Sequence, residues 1–186
     1  MVFNKTLIEG VYEIKLSPFK DDRGEFSRIY SGEELKEIGI NKPITHVNHS
    51  LTLNKGTLRG IHFQHPPHSE NKLIRCIKGK VFDVAVDLRV HSKTFLKWVS
   101  IILSPWDYNM IVIPEGCAHG FQTLEDDCEL IYFHTASYNA ESEGALKYDD
   151  PFLNIQWPLP AINVSQRDLN HPFLDANFTG IKLSTQ

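Results

Sequence analysis

Val81-Phe-Asp-Val-Ala-Val-Asp-Leu88 alternates with period two, placing Val81, Asp83, Ala85 and Asp87 on one face and Phe82, Val84, Val86 and Leu88 on the other. That is the pattern of a β-strand. Working outward, segments 11–16, 26–30, 44–50, 57–64, 72–78, 97–103, 110–113, 118–123 and 128–135 are rich in Val, Ile, Phe, Tyr and Leu, and most alternate as well. Turn residues such as Lys78-Gly79-Lys80 and Asp126-Asp127 punctuate them. At the N-terminal end only Ser31–Ile38 reads as helical, with Ser31 as N-cap before Glu-Glu-Leu-Lys. Past Pro151 the chain becomes Pro- and Asn-rich, and a short helical turn is expected from Ser165 through Asp168. Ten short strands with no repeat, low-complexity tract or linker predict one all-β domain over residues 1–186. Closure into a jelly roll with short peripheral helices is favoured over an open sheet, because it removes exposed edges.

Composition narrows the function. The 186 residues suffice for a real core, and 41% hydrophobic with 23% charged residues is ordinary for a globular protein. A formal charge of −4 supplies no general basic field for nucleic acid or an anionic membrane, so an anionic ligand needs a local cluster of cations. The three cysteines, Cys76, Cys117 and Cys128, show no metal-finger spacing and read as buried strand residues. With no signal peptide and no apolar run near 18 residues, the expectation is a cytoplasmic chain with reduced thiols.

Two motifs set histidines among glycines and strand-forming residues: Gly56-Thr-Leu-Arg-Gly-Ile-His62-Phe-Gln64 and Pro114-Glu-Gly-Cys-Ala-His119-Gly-Phe121. A small β-barrel delivers polar side chains into an apolar lumen in this way. The spacing is similar to that of metal-binding cupins, which have a glycine, five residues, His-x-His and a glutamate, then Pro-x-Gly-x-x-His. Here position 64 is Gln, so a three-histidine ligand set is not evident, and a stable transition-metal site needs three or four ligands. A metal-free, cofactor-free lumen with histidine as general base is the better reading. A metal-dependent cupin oxygenase or isomerase is the alternative.

The chain resembles the dTDP-4-dehydrorhamnose 3,5-epimerases, metal-free cupins with a double-stranded β-helix that act on nucleotide-linked 4-keto sugars. The resemblance runs from Phe19-x-Asp-x-Arg-Gly-x-Phe26 through Asn48-His-Ser50, Gly56–Gln64, Lys72-Leu-Ile-Arg75 and Asp83–Arg89. It continues through Ile113–Phe121, Tyr132, Tyr138, Glu143 and Trp157-Pro-Leu159 to Ser165-x-x-Asp168. It implies that His62 takes the proton α to the ketone while Asp168 fixes its tautomer. By the same resemblance Tyr132 reprotonates from the opposite face, and Lys72 with His119 holds the enolate oxygen. Lys72 has a plainer reading, neutralising Asp83 on a neighbouring strand.

The resemblance also implies a phosphate contact for Arg59 and another from Arg167. Arg23, in a segment that reaches across a homodimer interface by N-terminal strand exchange (about residues 1–40), belongs to the same set. Phe19, Phe26 and Tyr138 are candidates to stack on base or ribose, and Asn48, Gln64, Glu143 and Arg28 complete the expected substrate-binding residues. Arg28, His46 and Val47 depart from the family's usual pattern at nucleoside-facing positions. The catalytic set therefore implies epimerisation at C3, C5 or both, with a C3-only enzyme on a CDP-, GDP- or modified dTDP-sugar as the alternative. His65, His68, His91 and His134 are expected at the surface.

Overall fold

From His46 onward the chain shuttles between two antiparallel sheets. The structure, a computed structural model, describes residues 1–183. Its strands are β1 (Val2–Lys5), β2 (Tyr12–Lys15), β3 (Phe19–Asp21), β4 (Gly24–Phe26), β5 (His46–Thr52), β6 (Leu58–Gln64) and β7 (Lys72–Lys78). They continue as β8 (Val81–Asp87), β9 (Trp98–Leu103), β10 (Asn109–Ile113), β11 (Cys117–Thr123), β12 (Cys128–His134) and β13 (Glu143–Ala145). A six-stranded sheet runs β1-β2-β10-β7-β12-β5 and a five-stranded sheet β13-β6-β11-β8-β9. Between β5 and β13 every connection except β8–β9 crosses from one sheet to the other. That is the expected jelly roll.

Period two then sorts the side chains. Ile74, Cys76, Val81, Ala85, Phe121 and Leu130 point inward and form one core between the sheets. The outer face of the five-stranded sheet, with Ile61, Val84, Val86 and Ala118, is covered by Leu146, Leu153, Ile155 and Leu174 of the C-terminal segment. Leu73, Val112 and Phe133, on the outer face of the six-stranded sheet, pack under Leu35 and Ile40. Each of the Val, Leu, Ile and Phe side chains among these contributes about 1.5–3 kcal/mol by leaving water. The three cysteines are buried and free, and burial pushes Cys76 and Cys117 up to about 12. No helix among the described residues is long and apolar enough to cross a membrane.

Local signals held at both helices. Ser31 Oγ accepts the Glu34 N–H ahead of α1 (Gly32–Lys36), and Ser165 Oγ accepts the Asp168 N–H at the start of α2 (Gln166–Leu169). The strand expected over 26–30 is a correction. Only Phe26 is in a strand, because Gly24 (φ +130°) turns the chain into a β3–β4 hairpin outside both sheets. Residues 27–30 run on without ladder bonds, anchored by Tyr30 stacked on Phe133. β1 and β13 carry too little pattern to be read locally; they exist because β2 and β6 offer edges to pair with.

One irregularity decides what faces inward. β6 uses Gly60-Ile61-His62 where β11 uses only Gly120-His119, so the register shifts between Gly120 and His119. Regular alternation would put Arg59 and His62 on opposite faces; the bulge turns both toward the interior. Only glycine fits there, since Gly60 has φ +115° and an added Cβ would lie 2.6 Å from Gly120 Cα. Gly60→Ala is expected to destabilise the fold by about 2–5 kcal/mol, from backbone strain plus overpacking. An unchanged urea midpoint at unchanged slope would contradict this.

Candidate active site

Where the inner core stops, the two sheets enclose a cavity of about 510 Å³, a fitting size for a small-molecule ligand. Arg59 and His62 of β6 and His119 of β11 line it from the five-stranded sheet. Lys72 of β7, Tyr132 and His134 of β12, and Asn48 and Ser50 of β5 line it from the six-stranded sheet. Arg167 and Asp168 of α2 complete the wall.

His62 and Asp168, 106 positions apart, meet at 2.7 Å between Nε2 and Oδ1. Docking of α2 against β6 creates the pair. Asp168 is buried, and its Oδ2 accepts the Gly60 N–H at 3.4 Å. Burial alone would raise this carboxyl, but the His62 hydrogen bond and charge, with the Gly60 and Ser165 contacts, outweigh it and hold it at about 2. An ionised carboxylate only accepts, so His62 donates from Nε2 and leaves Nδ1 as its basic nitrogen.

A second imidazole–carboxylate pair stands beside the first. His119 Nε2 lies 2.9 Å from Asp83 Oδ2. Asp83 is fully buried, which pushes its carboxyl up against the opposing pull of His119 and Lys72, and its Oδ1 has no hydrogen-bond partner among the described residues. The plainer reading of Lys72 is thereby corrected: the direct partner of Asp83 is His119. Lys72 Nζ instead lies 3.4 Å from Glu70 and 3.5 Å from the His62 carbonyl oxygen. Asp83 was not among the expected site residues; its signal was a carboxylate set between Val81 and Ala85 on the inward face of the strand.

Tyr132 hangs from the opposite sheet to His62. Its hydroxyl is 3.0 Å from Ser50 Oγ, and its ring meets His119 edge-on with centroids 6.4 Å apart. Burial pushes the phenol well above the usual tyrosine range, so it is protonated at neutral pH. The cavity thus has a basic nitrogen on one wall, a protonated phenol on the other, and an ammonium and an imidazole nearby.

A model of the dTDP-4-dehydrorhamnose 3,5-epimerase family matches residues 5–176. The chain belongs to that family. It is 40% identical over 175 residues to the dTDP-4-dehydrorhamnose 3,5-epimerase of Sinorhizobium fredii, covering 94% of this chain and 90% of the relative. The crystal structure of that enzyme from Elizabethkingia anophelis matches with a TM-score of 0.91 and 36% identity, over 96% of this chain and 98% of the other. The Legionella pneumophila dTDP-6-deoxy-D-glucose-3,5-epimerase, in complex with dTDP-4-keto-L-rhamnose, matches with a TM-score of 0.90 and 34% identity, over 98% and 99%. The isomerase class expected from the sequence is therefore the one the family carries.

The remaining expected residues of this epimerase divide into those inside the cavity and those outside it. Arg59 lines it, with Nε on Thr52 Oγ1 at 3.1 Å and Nη2 on the Leu51 carbonyl at 3.4 Å; both acceptors are neutral, and among the described residues no carboxylate pairs with it. Arg167 also lines it but pairs with Glu143, which in turn accepts from the Tyr138 hydroxyl at 3.2 Å. Asn48 Nδ2 lies 3.5 Å from His134 Nε2.

Gln64 is a correction: its amide is buried, bonding the carbonyls of His68 and Ser137 and the Asn139 N–H, so it clamps loops rather than facing a ligand. Phe19, Phe26 and Arg23 sit on the β3–β4 hairpin, outside their own cavity, and Arg28 pairs with Glu34 on α1. Val47 is exposed, and His46 stacks on His134 with centroids 4.6 Å apart.

His134 was expected at the surface and is instead half-buried in the cavity wall, with Nδ1 2.8 Å from Glu70. His171 was missed altogether; its signal was a position three residues past Asp168, one helical turn on. The ligand atoms of His62, Asp168 and His171 lie within 4.8 Å of one another. Yet both imidazoles address one carboxylate oxygen at hydrogen-bonding distances, 2.7 and 3.1 Å. The cupin-type ligand set is not assembled either, with Gln64 clamping loops and His119 Nε2 on Asp83.

Asp168 also ties stability to pH. Its folded carboxyl titrates at about 2, below the unfolded value of roughly 4, so its contribution is complete above pH ~4 and lost as pH falls toward 2. Asp168→Asn is expected to be less stable than the parent at pH 7 and to converge with it near pH 2. Urea midpoints equally spaced at both pH values would contradict this.

Proposed function

We propose that this chain inverts C3 and C5 of dTDP-4-dehydro-6-deoxyglucose to give dTDP-4-dehydrorhamnose. The observation that carries the proposal is a His–Asp base and a protonated tyrosine on opposite sheets across one cavity. Inversion next to a ketone needs that arrangement, because the proton must leave one face of the carbon and return to the other. His62 Nδ1 takes the α proton, and Asp168 compensates the imidazolium that forms. Lys72 and His119 hold the enolate oxygen, and Asp83 orients His119 through its other nitrogen. Tyr132 then protonates the carbon from the far side. Proton exchange with water restores both groups, so no cofactor or redox partner enters the balance.

The diphosphate falls to Arg59, whose guanidinium has no carboxylate partner among the described residues, with Arg167 beside it. We assign the N-terminal segment to a homodimer in which the β3–β4 hairpin serves the second copy's cavity. In support, Phe19 is 69% and Phe26 76% exposed, and large rings left in water call for a covering surface. Delivered to a partner, Arg23 and these two rings would meet its nucleotide. A chain that sediments as a monomer would remove this assignment. The cytoplasm is the proposed compartment, where a nucleotide-sugar substrate and free thiols belong together.

The test is a panel of dTDP-, CDP- and GDP-linked 4-keto-6-deoxy sugars in deuterated buffer, read by NMR. Deuterium is expected at both C3 and C5 of the dTDP sugar; label at C3 alone, or preference for another nucleotide, would overturn that part of the reading. His62→Ala is expected to abolish exchange with little loss of nucleotide affinity, and unchanged uptake would refute the base assignment. Tyr132→Phe is expected to reduce product more than exchange, since the acid acts after the proton has left. Equal loss of both would count against its role.

A further inference from the structure

His171 takes no part in lining the cavity, yet it touches the group on which the base depends. Its Nε2 lies 3.1 Å from Asp168 Oδ1, the same oxygen that His62 Nε2 reaches at 2.7 Å. The two rings stand at 85° with centroids 5.4 Å apart, so they approach the oxygen from different directions. Their side chains are 13% exposed for His171 and 5% for Asp168, so water competes little for the contact. An ionised carboxylate has no proton to give, so both imidazoles donate from Nε2. One negative charge thus serves two donors.

We infer that His171 is a positioning residue for proton abstraction: by sharing the Asp168 carboxylate it fixes that group's orientation and keeps His62 less basic than an undivided His–Asp pair would be. The inference rests on the proposed role of His62. A whole opposite charge in contact favours the charged form of a partner by about 1–3 pKa units. Dividing that charge with a second donor removes part of the effect, and a second imidazolium at the same oxygen would be repelled.

Other groups also face His62. Lys72 of β7 and Arg59 of its own strand add positive charge. His119 of β11, backed by Asp83 of β8, and Tyr132 and His134 of β12 line the same cavity, with Arg167 of α2 paired to Glu143 of β13. None of these contacts His171 in the structure's hydrogen bonds or ion pairs among the described residues, so a change at His171 reads out through Asp168.

The experiment is kcat/KM against pH for the full-length parent, His171→Ala and His171→Gln. In His171→Ala the acidic limb is expected to move up by about half to one pH unit, because His62 then holds the carboxylate alone. His171→Gln, which keeps a neutral N–H donor, is expected to return the limb toward the parent. A limb that stays in place in His171→Ala, with any loss of rate equal at every pH, would overturn the inference. A direct measurement guards against misfolded variants: 15N NMR of histidine-labelled parent protein should show Nε2 protonated on both His62 and His171. A bare Nε2 on His171 would overturn the inference equally. Failure of His62→Ala to stop deuterium exchange would instead sink the base assignment, independently of either result.

Discussion

The close approach of Gly60 to Gly120 is the constraint on which the rest of the site depends. β6 and β11 pass so near each other there that no side chain fits between their backbones, and the extra residue in β6 reverses the alternation of everything beyond it. Arg59 and His62 reach the same cavity only for that reason. The bulge also aims the Gly60 N–H at Asp168, so the strand that carries His62 supplies a second contact to the carboxylate His62 is bonded to. The placement of Arg59, His62 and the carboxylate of Asp168 follows from one local departure from a regular ladder.

The two imidazole–carboxylate pairs look alike in geometry and differ in electrostatics. Asp168 lies at the edge of the cavity with several donors, which hold it ionised far below neutral pH. Asp83 is sealed between the sheets with one oxygen unpartnered among the described residues, and burial pushes its carboxyl the other way. The first pair is suited to accept a proton and carry the resulting charge. The second holds the His119 ring in one orientation through a single Nε2–Oδ2 contact. One cavity thereby holds two imidazole–carboxylate pairs of opposite electrostatic character built from the same two residue types.

Much of this was legible locally. Alternation over 72–78, 81–88 and 128–135 reads directly as strand, and serine caps announced both helices to within a residue or two. Where the pattern misled, tertiary pairing had overridden it: residues 27–30 have strand composition but no edge to join, while β13 has none and pairs with β6. Gln64 was misread because motif position places it beside His62, whereas its amide is engaged by loops 68–69 and 137–139. His134 and His171 were passed over because a lone histidine carries no periodic signal; its meaning comes from Glu70 or Asp168 arriving from elsewhere in the chain.

The sequence by itself determined that this is an all-β jelly roll with His62, Tyr132, Lys72 and His119 on strands, because side-chain periodicity and turn chemistry are local properties of the backbone. Motif order along the chain was also enough to place it in its family. Only the tertiary structure decided which carboxylate serves which histidine, and that one carboxylate serves two. Those contacts join residues as far as 106 positions apart, and they form only when α2 docks on a strand whose phase a glycine bulge has reset. Hydrogen bonding selects partners by distance and direction in space, which spacing along a chain does not encode.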